Sequence, residues 1–450
     1  MWQKSNFFLL SILCTAFFHQ QACLKDFHRN EYDKIHFLPI DPNSISFEGA
    51  ALFSYINSSG LSDDQIFLQV IGTNPKTGNQ CFVSYDSQGN ATLEDVTHMV
   101  DSEKFSYPLS FFSTSAITGQ KNLYLPCMLG SRIYTSINKK IEFLIVQNSK
   151  DQWTICAPNP LNPDDPNRDT IWDKTEFTIS DQDVFINPTA VDDFSLPLVC
   201  SIKSTNGVIQ QGGISVARSK IFRDLKEEFS SAEGPWMELL SQSPSMVFSP
   251  MFAAATGRFP QNLLEENHWI DAFCNLFSKE TLKIDMSESF PPSLGGGIWQ
   301  GLIDPSSKKI TFQRDVDATH PVINPVFITL PDNISEIIAG SGPSWQLEQS
   351  GPLGAALARN LSCAIDTNTL TTQEPLSMDY FTKKAPYFYQ HNSEISDALQ
   401  FIDHYSKVLH SYGDHKIYTI PYDDELNQSG SASVPPSQFM KGYIQLGPLQ

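Results

Sequence analysis

The rhythm of the first half of the chain limits its fold more than any other feature. Between about residues 32 and 205 it breaks into short apolar runs: IHFLPI, ALFSYI, QIFLQVIG, QCFVSYD, NLYLPCML, SRIYTSI, KIEFLIV and QWTICAP. Each is bounded by Asn, Asp, Gly, Ser or Pro. Several alternate apolar and polar positions, the period-two pattern of half-buried antiparallel strands. TGNQ and SQGN supply hairpin turns. NPLNPDDPNRD, 159–169, lacks backbone donors at its prolines and reads as a loop. Short strands at this spacing favour a β-barrel or β-sandwich over a parallel α/β sheet, which would need helices between them.

After about Thr205 the pattern changes period. ARSKIFRDLKEEFSS sets Ile221, Phe222, Leu225 and Phe229 at helical spacing, and PWMELLSQ continues as a short helix. FPQNLLEENHWIDAFCNLFSKE and ISDALQFIDHYSKVLHSYG repeat the helical pattern, with strand-like KKITFQR, PVFITL and HKIYTIPYD around them. The expected fold is therefore mainly β plus α/β. Residues 32–205 form a barrel or sandwich domain that 441–450 can return to complete, and 206–440 form a mixed α/β domain.

Residues 1–23 carry Lys4 and an apolar run from Phe7 to Phe18, too short for a comfortable membrane span and fitting a secretory signal peptide. That predicts a secreted or extracytoplasmic protein with no integral span once the signal is removed. In an exported chain, Cys81, Cys127, Cys156, Cys200, Cys274 and Cys363 can make up to three disulfides. No CxxC or HExxH occurs, so no metal site is expected. Fifty acidic against thirty basic residues give a formal charge of −20, which repels nucleic acid at long range. GGGIW, 295–299, lacks the Lys-Ser/Thr ending of a phosphate loop, and no G-x-S-x-G supports an esterase.

The chemistry-bearing stretch is WDKTEFTISDQDVFINPTAVDDFSLPL, 172–198. Alternation sets Glu176, Thr178 and Ser180 on one face of a strand, and sets Asp192 with Phe194 and Leu196 on a second. SDQDVFINPT reads as the connection, so Glu176 and Asp192 can meet on paired strands if their registers agree. Two carboxylates are the usual means of cleaving a glycosidic bond, one protonating the leaving oxygen and one activating the nucleophile. With fifty acidic residues, a solvated sheet face or a local turn network is the stronger explanation of such a pair on residues alone, and a one-residue slip would substitute Asp193 for Asp192.

WDKTEFTI, INPTAVDDFSLPL and KIYTIPYDD together resemble glycoside hydrolase family 64, the laminaripentaose-producing β-1,3-glucanases, over about residues 35–450. The resemblance implies a thaumatin-like β-barrel/sandwich domain and a mixed α/β domain flanking a wide groove. It implies an inverting endo-β-1,3-glucanase with Glu176 as general acid and Asp192 as general base. Thr178 would contact substrate, and Tyr422, Asp423 and Asp424 would build or brace the groove. The implied partner is β-1,3-glucan, with no metal or organic cofactor. Ser180 and Phe185 stand where relatives can present an Asn and a Trp, and Asp403 where Asn is common. These departures leave a noncatalytic β-glucan-binding or thaumatin-like interaction protein as the rival.

Overall fold

Alternating runs become strands because a pleated chain sends successive side chains to opposite faces, letting one face reach a core. The computed structural model describes residues 50–450 except 117, 150, 233–234, 242, 244, 256–273, 275–276, 280, 287–295, 316–323, 332–335, 337–352, 356, 359–363, 367–399, 413–416 and 421–429. The signal-peptide segment therefore lies outside the described residues, as does most of the expected helix at 259–280. Strands and helices are numbered in chain order.

A five-stranded sheet runs in the order β14 (Ile209–Gly213), β13 (Leu198–Ser204), β23 (Phe439–Leu446), β1 (Ala50–Asn57), β6 (Lys121–Pro126). The last long strand thus sits in the middle of the sheet, parallel to β1 and antiparallel to β13. Gly442 faces Phe53 there, and an added Cβ would run into the phenyl ring.

The second sheet is ordered β22 (Ala432–Val434), β11 (Val184–Pro188), β10 (Ile171–Ile179), β7 (Met128–Ile137), β2 (Ile66–Thr73), β3 (Gln80–Tyr85), β4 (Ala91–Asp95). Its eighth strand, β5 (Tyr107–Pro108), pairs with β2. One apolar core joins the two sheets, with Phe53, Leu123, Cys200 and Ile444 from the first meeting Val70, Ile133, Phe177 and Ile186 from the second.

The other face of the eight-stranded sheet, through Phe82, Tyr134 and Trp172, belongs to a second core built mostly from the later part of the chain. That core takes Ile221, Leu225 and Phe229 of α1 (Arg218–Ser231), residues of α2 (Glu238–Ser241) and α3 (Pro250–Ala255), and Tyr405 and Leu409 of α4 (His404–Tyr412). It also packs a four-stranded sheet of β16 (Leu282–Asp285), β17 (Ile298–Asp304), β18 (Lys309–Arg314) and β19 (Val326–Thr329). Three two-stranded pieces complete the description: β8 (Leu144–Gln147) with β9 (Trp153–Cys156), β12 (Asp193–Phe194) with β15 (Val247–Phe248), and β20 (Ala364–Asp366) with β21 (Gln400–Ile402).

Three expectations need correction. First, the fold is a mixed α/β arrangement of several open sheets, and no sheet closes into a barrel among the described residues. Closure requires edge strands to pair, but these edges are short or polar. β22 has three residues, and its Ser433 N–H is taken by the Gln210 side chain of β14 at 2.7 Å rather than by another strand. The closed barrel therefore does not describe this architecture, in which the five- and eight-stranded sheets stay open and share one core.

Second, three disulfides do not form: Cys81, Cys127, Cys200 and Cys274 remain thiols, whereas Cys156 is disulfide-bonded, and Cys363 lies outside the described residues. An even cysteine count shows only that pairing is possible; it brings no two sulfurs together.

Third, of the helix expected across 395–412, residues 395–399 lie outside the described residues and the described part is helical from His404. Asp403 caps it, accepting Ser406 N–H at 2.9 Å, while Gln400–Ile402 pairs as a strand with Ala364–Asp366. α1 appears where its spacing predicted. Its first free N–H groups, on Arg218 and Ser219, donate to the carbonyls of Pro448 and Leu449, so the chain terminus caps the helix in place of a side chain.

Candidate active site

The site grows from one row of the eight-stranded sheet. Register pairs Ile71 with Arg132, Arg132 with Glu176, and Glu176 with Asn187 across β2, β7, β10 and β11. Directly opposed residues share a face, so Arg132, Glu176 and Asn187 stand side by side. Two residues back lies the row Gln69, Tyr134, Lys174. This face carries Tyr134 and Trp172 into the second core, so its charged side chains sit at the margin of an apolar interior.

Next to this row β7 carries an extra residue. Pairing with β10 shifts between Phe177 and Ile179, and Gly130 takes φ +53°, the left-handed region. Gly130 N–H donates to Thr178 Oγ1 at 3.3 Å. A bulge bends the strand and re-aims its neighbours, here beside Arg132. Thr178, expected to contact substrate, is buried at this bulge.

Glu176 Oε1 accepts from Arg132 Nε at 3.3 Å, and the glutamate side chain is 20% exposed against 8% for the arginine. Asp192 is placed differently from the sequence reading. Residues 184–188, read as connection, form the strand paired with β10, because Ser180 Oγ accepts from both Gln182 and Asp183 N–H in a tight turn. Asp192 falls in the loop beyond β11, and Glu176 faces Asn187 instead.

Asp192 still reaches the site, because Lys174 Nζ donates to its Oδ2 at 2.6 Å. The same ammonium lies 3.7 Å from Asp193 Oδ2, with Lys174 and Asp193 both 2% exposed and Asp192 14%. The loop is clamped by the later part of the chain. Tyr405 OH donates to Ala190 O at 2.6 Å, Ala190 N–H to Tyr418 O at 2.7 Å, and Ser249 N–H to Asp192 O at 2.9 Å. A helix, a bridge and the β12–β15 pair thus hold one turn.

The electrostatics follow from crowding charge into this margin. Burial works against the Lys174 ammonium, but Asp192 and then Asp193 more than offset it and hold its pKa well above the usual lysine range. Burial likewise opposes the Arg132 guanidinium, which Glu176, Tyr134 and Asp192 together hold above its ordinary value. Both carboxylates therefore act on one cation. Burial pushes Asp193 up, with Lys174 pulling the other way. Asp173 is pushed up to about 7 by burial and by Asp193, despite accepting the N–H groups of Leu196, Ser195 and Lys174.

Chemically, each carboxylate uses one oxygen on its own cation. Among the described residues, Glu176 Oε2 and Asp192 Oδ1 bond no protein group. Tyr422, Asp423 and Asp424 lie outside the described residues. Arg132, Lys174 and Asn187 were missed by sequence reasoning. Lys174 had a signal, since D-K-T-E puts it on Glu176's face, and SRIYTSI likewise pairs Arg132 with Tyr134. No group of three or more His, Cys, Asp or Glu side chains among the described residues could hold a metal ion. No described helix is long and apolar enough to cross a membrane.

The chain is 31% identical over 86 residues to the glucan endo-1,3-beta-glucosidases of Cellulosimicrobium cellulans and Arthrobacter sp. (strain YCWD3), a match spanning 19% of this chain and only 15% of theirs. Its fold resembles a laminaripentaose-producing beta-1,3-glucanase solved with laminaritetraose, at TM-score 0.65 and 20% identity over 90% of this chain and 100% of that one. It also resembles the beta-1,3-glucanase domain (GH64) from Clostridium beijerinckii, at TM-score 0.63 and 18% identity over 89% and 98% of the two chains. The family model for glycoside hydrolase 64, Beta-1,3-glucanase, matches residues 52–443, most of the chain, and the chain belongs to that family.

Proposed function

We propose that the protein is an extracytoplasmic endo-acting β-1,3-glucanase that hydrolyses β-1,3-glucan with inversion, using Glu176 as general acid and Asp192 as general base. One observation carries the reading: two carboxylates are seated on cations of adjacent rows of one sheet face, Glu176 on Arg132 and Asp192 on Lys174, and each keeps one oxygen that no described protein group occupies. Glu176 Oε2 delivers a proton to the departing glycosidic oxygen while Oε1 stays on Arg132. Asp192 Oδ1 takes a proton from the water that attacks the anomeric carbon on the opposite face, while Oδ2 stays on Lys174.

Positions 174 and 176 share one face of β10, with Asp192 seated on the Lys174 ammonium and Glu176 on the Arg132 guanidinium. An inverting pair needs its carboxyl groups about 6.5–9.5 Å apart to admit a water. Thr178 braces the acid's strand through Gly130, and Tyr422, Asp423 and Asp424 are assigned to the glucan-contacting wall on their motif.

Incubation of the purified protein with laminarin, cellulose oligosaccharides and mannan, following reducing ends and product anomer by NMR, tests the proposal. The expected result is α-anomeric product from laminarin alone. Glu176→Gln and Asp192→Asn should each lose about 10²–10⁴-fold in turnover with an unchanged fold. Stable laminarin binding without product would favour the noncatalytic glucan-binding reading, and unchanged turnover in both variants would remove the acid/base assignment.

A further inference from the structure

Asn187 stands directly across the strand pair from Glu176, on the side away from Arg132. At such a position the two Cβ atoms are about 4.5–5.5 Å apart. Asn187 is 3% exposed, and its Oδ1 has no hydrogen-bond partner among the described residues. Buried polar side-chain atoms nearly always have a partner, because an unmet acceptor loses its hydration and gains nothing in return. Of the donors in this part of the sheet, Arg132 Nε is on Glu176 and Lys174 Nζ is on Asp192. The partly exposed Glu176 is the opening through which this row meets solvent.

We infer that Asn187 is a glucan-binding residue whose carboxamide takes a secondary hydroxyl of the sugar ring at the bond Glu176 protonates. The inference rests on the glucanase reading of the site. A secondary alcohol both donates and accepts, and a carboxamide presents an acceptor oxygen beside two N–H donors, so the two groups can pair without a charge. A neutral amide also suits a place next to a group that must carry and release a proton, where a second carboxylate would add like-charge repulsion. Pairing with substrate supplies the hydrogen bond that the folded protein leaves unmade, so the interaction appears only when glucan is bound.

The test uses Asn187→Leu, similar in volume and apolar, in the full chain. Three quantities are read: laminarin kcat/KM, the affinity of laminarioligosaccharides for Glu176→Gln with and without Asn187→Leu, and the melting temperature without glucan. The expected result is a fall of about 10–100-fold in kcat/KM and in affinity, with melting unchanged or raised. Oligosaccharides deoxygenated at single ring positions sharpen the reading. One deoxy ligand should bind Glu176→Gln and the double variant alike, since either change deletes the same hydrogen bond.

Wild-type kcat/KM and affinity in Asn187→Leu would overturn the inference while leaving the glucanase reading standing. A lowered melting temperature accompanying the loss would also overturn it, showing that the amide serves the fold, for instance through a bound water. If wild-type protein binds glucan without cleaving it, the glucanase reading fails, and the affinity comparison still decides on Asn187. If wild-type protein neither binds nor cleaves, both ideas fall.

Discussion

Replacing Lys174 with methionine removes a positive charge from between two carboxylates while keeping most of the side-chain volume. The ammonium is 2.6 Å from Asp192 and 3.7 Å from Asp193, and neither Lys174 nor Asp193 is more than 2% exposed. Deleting one partner of a buried pair typically costs about 3–5 kcal/mol, because the remaining charge is left uncompensated in a medium that solvates it poorly. Asp193 sets the pH dependence. Burial already raises its pKa and Lys174 restrains the rise, so Lys174→Met releases it upward. A carboxyl with a raised folded pKa gives stability that is complete below its unfolded pKa and is lost as pH rises through the folded value.

The loss should therefore be largest near pH 8 and smaller near pH 5. Adding Asp193→Asn to Lys174→Met should recover most of it, and adding Asp192→Asn the remainder. Urea midpoints at the two pH values, with slopes compared to exclude a changed unfolded state, measure this directly. A loss at pH 8 below about 1 kcal/mol, the worth of an exposed pair, would refute the reasoning. So would further destabilisation when Asp193→Asn is added.

Asp403 is pushed up to about 7 by burial, against the Ser406 N–H and hydroxyl bonds that favour its charge, so it costs stability as pH rises from about 4 to about 7. Asn can keep both Ser406 bonds, so Asp403→Asn should raise the melting temperature at pH 8, leave it nearly unchanged at pH 4, and flatten the profile between, as thermal scans would show. Gly442→Ala drives a methyl into the Phe53 ring across the β1–β23 pair and should cost about 1–3 kcal/mol in urea unfolding, with partial recovery on adding Phe53→Leu.

What could be read from residues alone follows the range of the forces involved. The strand carrying Glu176 was legible because W-D-K-T-E-F-T-I alternates, and the same alternation puts Lys174 beside the acid. The stripe of α1 was legible because Ile221, Leu225 and Phe229 recur at helical spacing. Asn187 was hidden inside what read as a connection, since N-P-T resembles a turn until the Ser180–Asp183 bend is known to occupy that role. The sheet edges were illegible for a different reason. Whether β14 and β22 pair depends on a contact between residues 223 apart in the chain, Gln210 and Ser433, and local pattern carries no record of it.

The two carboxylates are held by different means, and that difference makes a last prediction. Glu176 belongs to a strand paired on both sides, whereas Asp192 rides a turn whose position is fixed from outside by Tyr405, Tyr418 and Ser249. Tyr405→Phe removes only the bond to Ala190 O at 2.6 Å and leaves that carbonyl without its donor. The stability cost should be about 1–3 kcal/mol, modest for a chain of this size. The effect on turnover should be out of proportion to it. Under the acid/base assignment, a base displaced by a fraction of an ångström loses alignment with its water, so kcat should fall about 10-fold or more while KM barely moves. Phe229→Leu provides the control, thinning the same core from α1 without touching the turn. It should lower the melting temperature comparably and leave kcat near wild type. Equal losses of kcat in the two variants would mean that general loosening, and not the seat of Asp192, governs the rate.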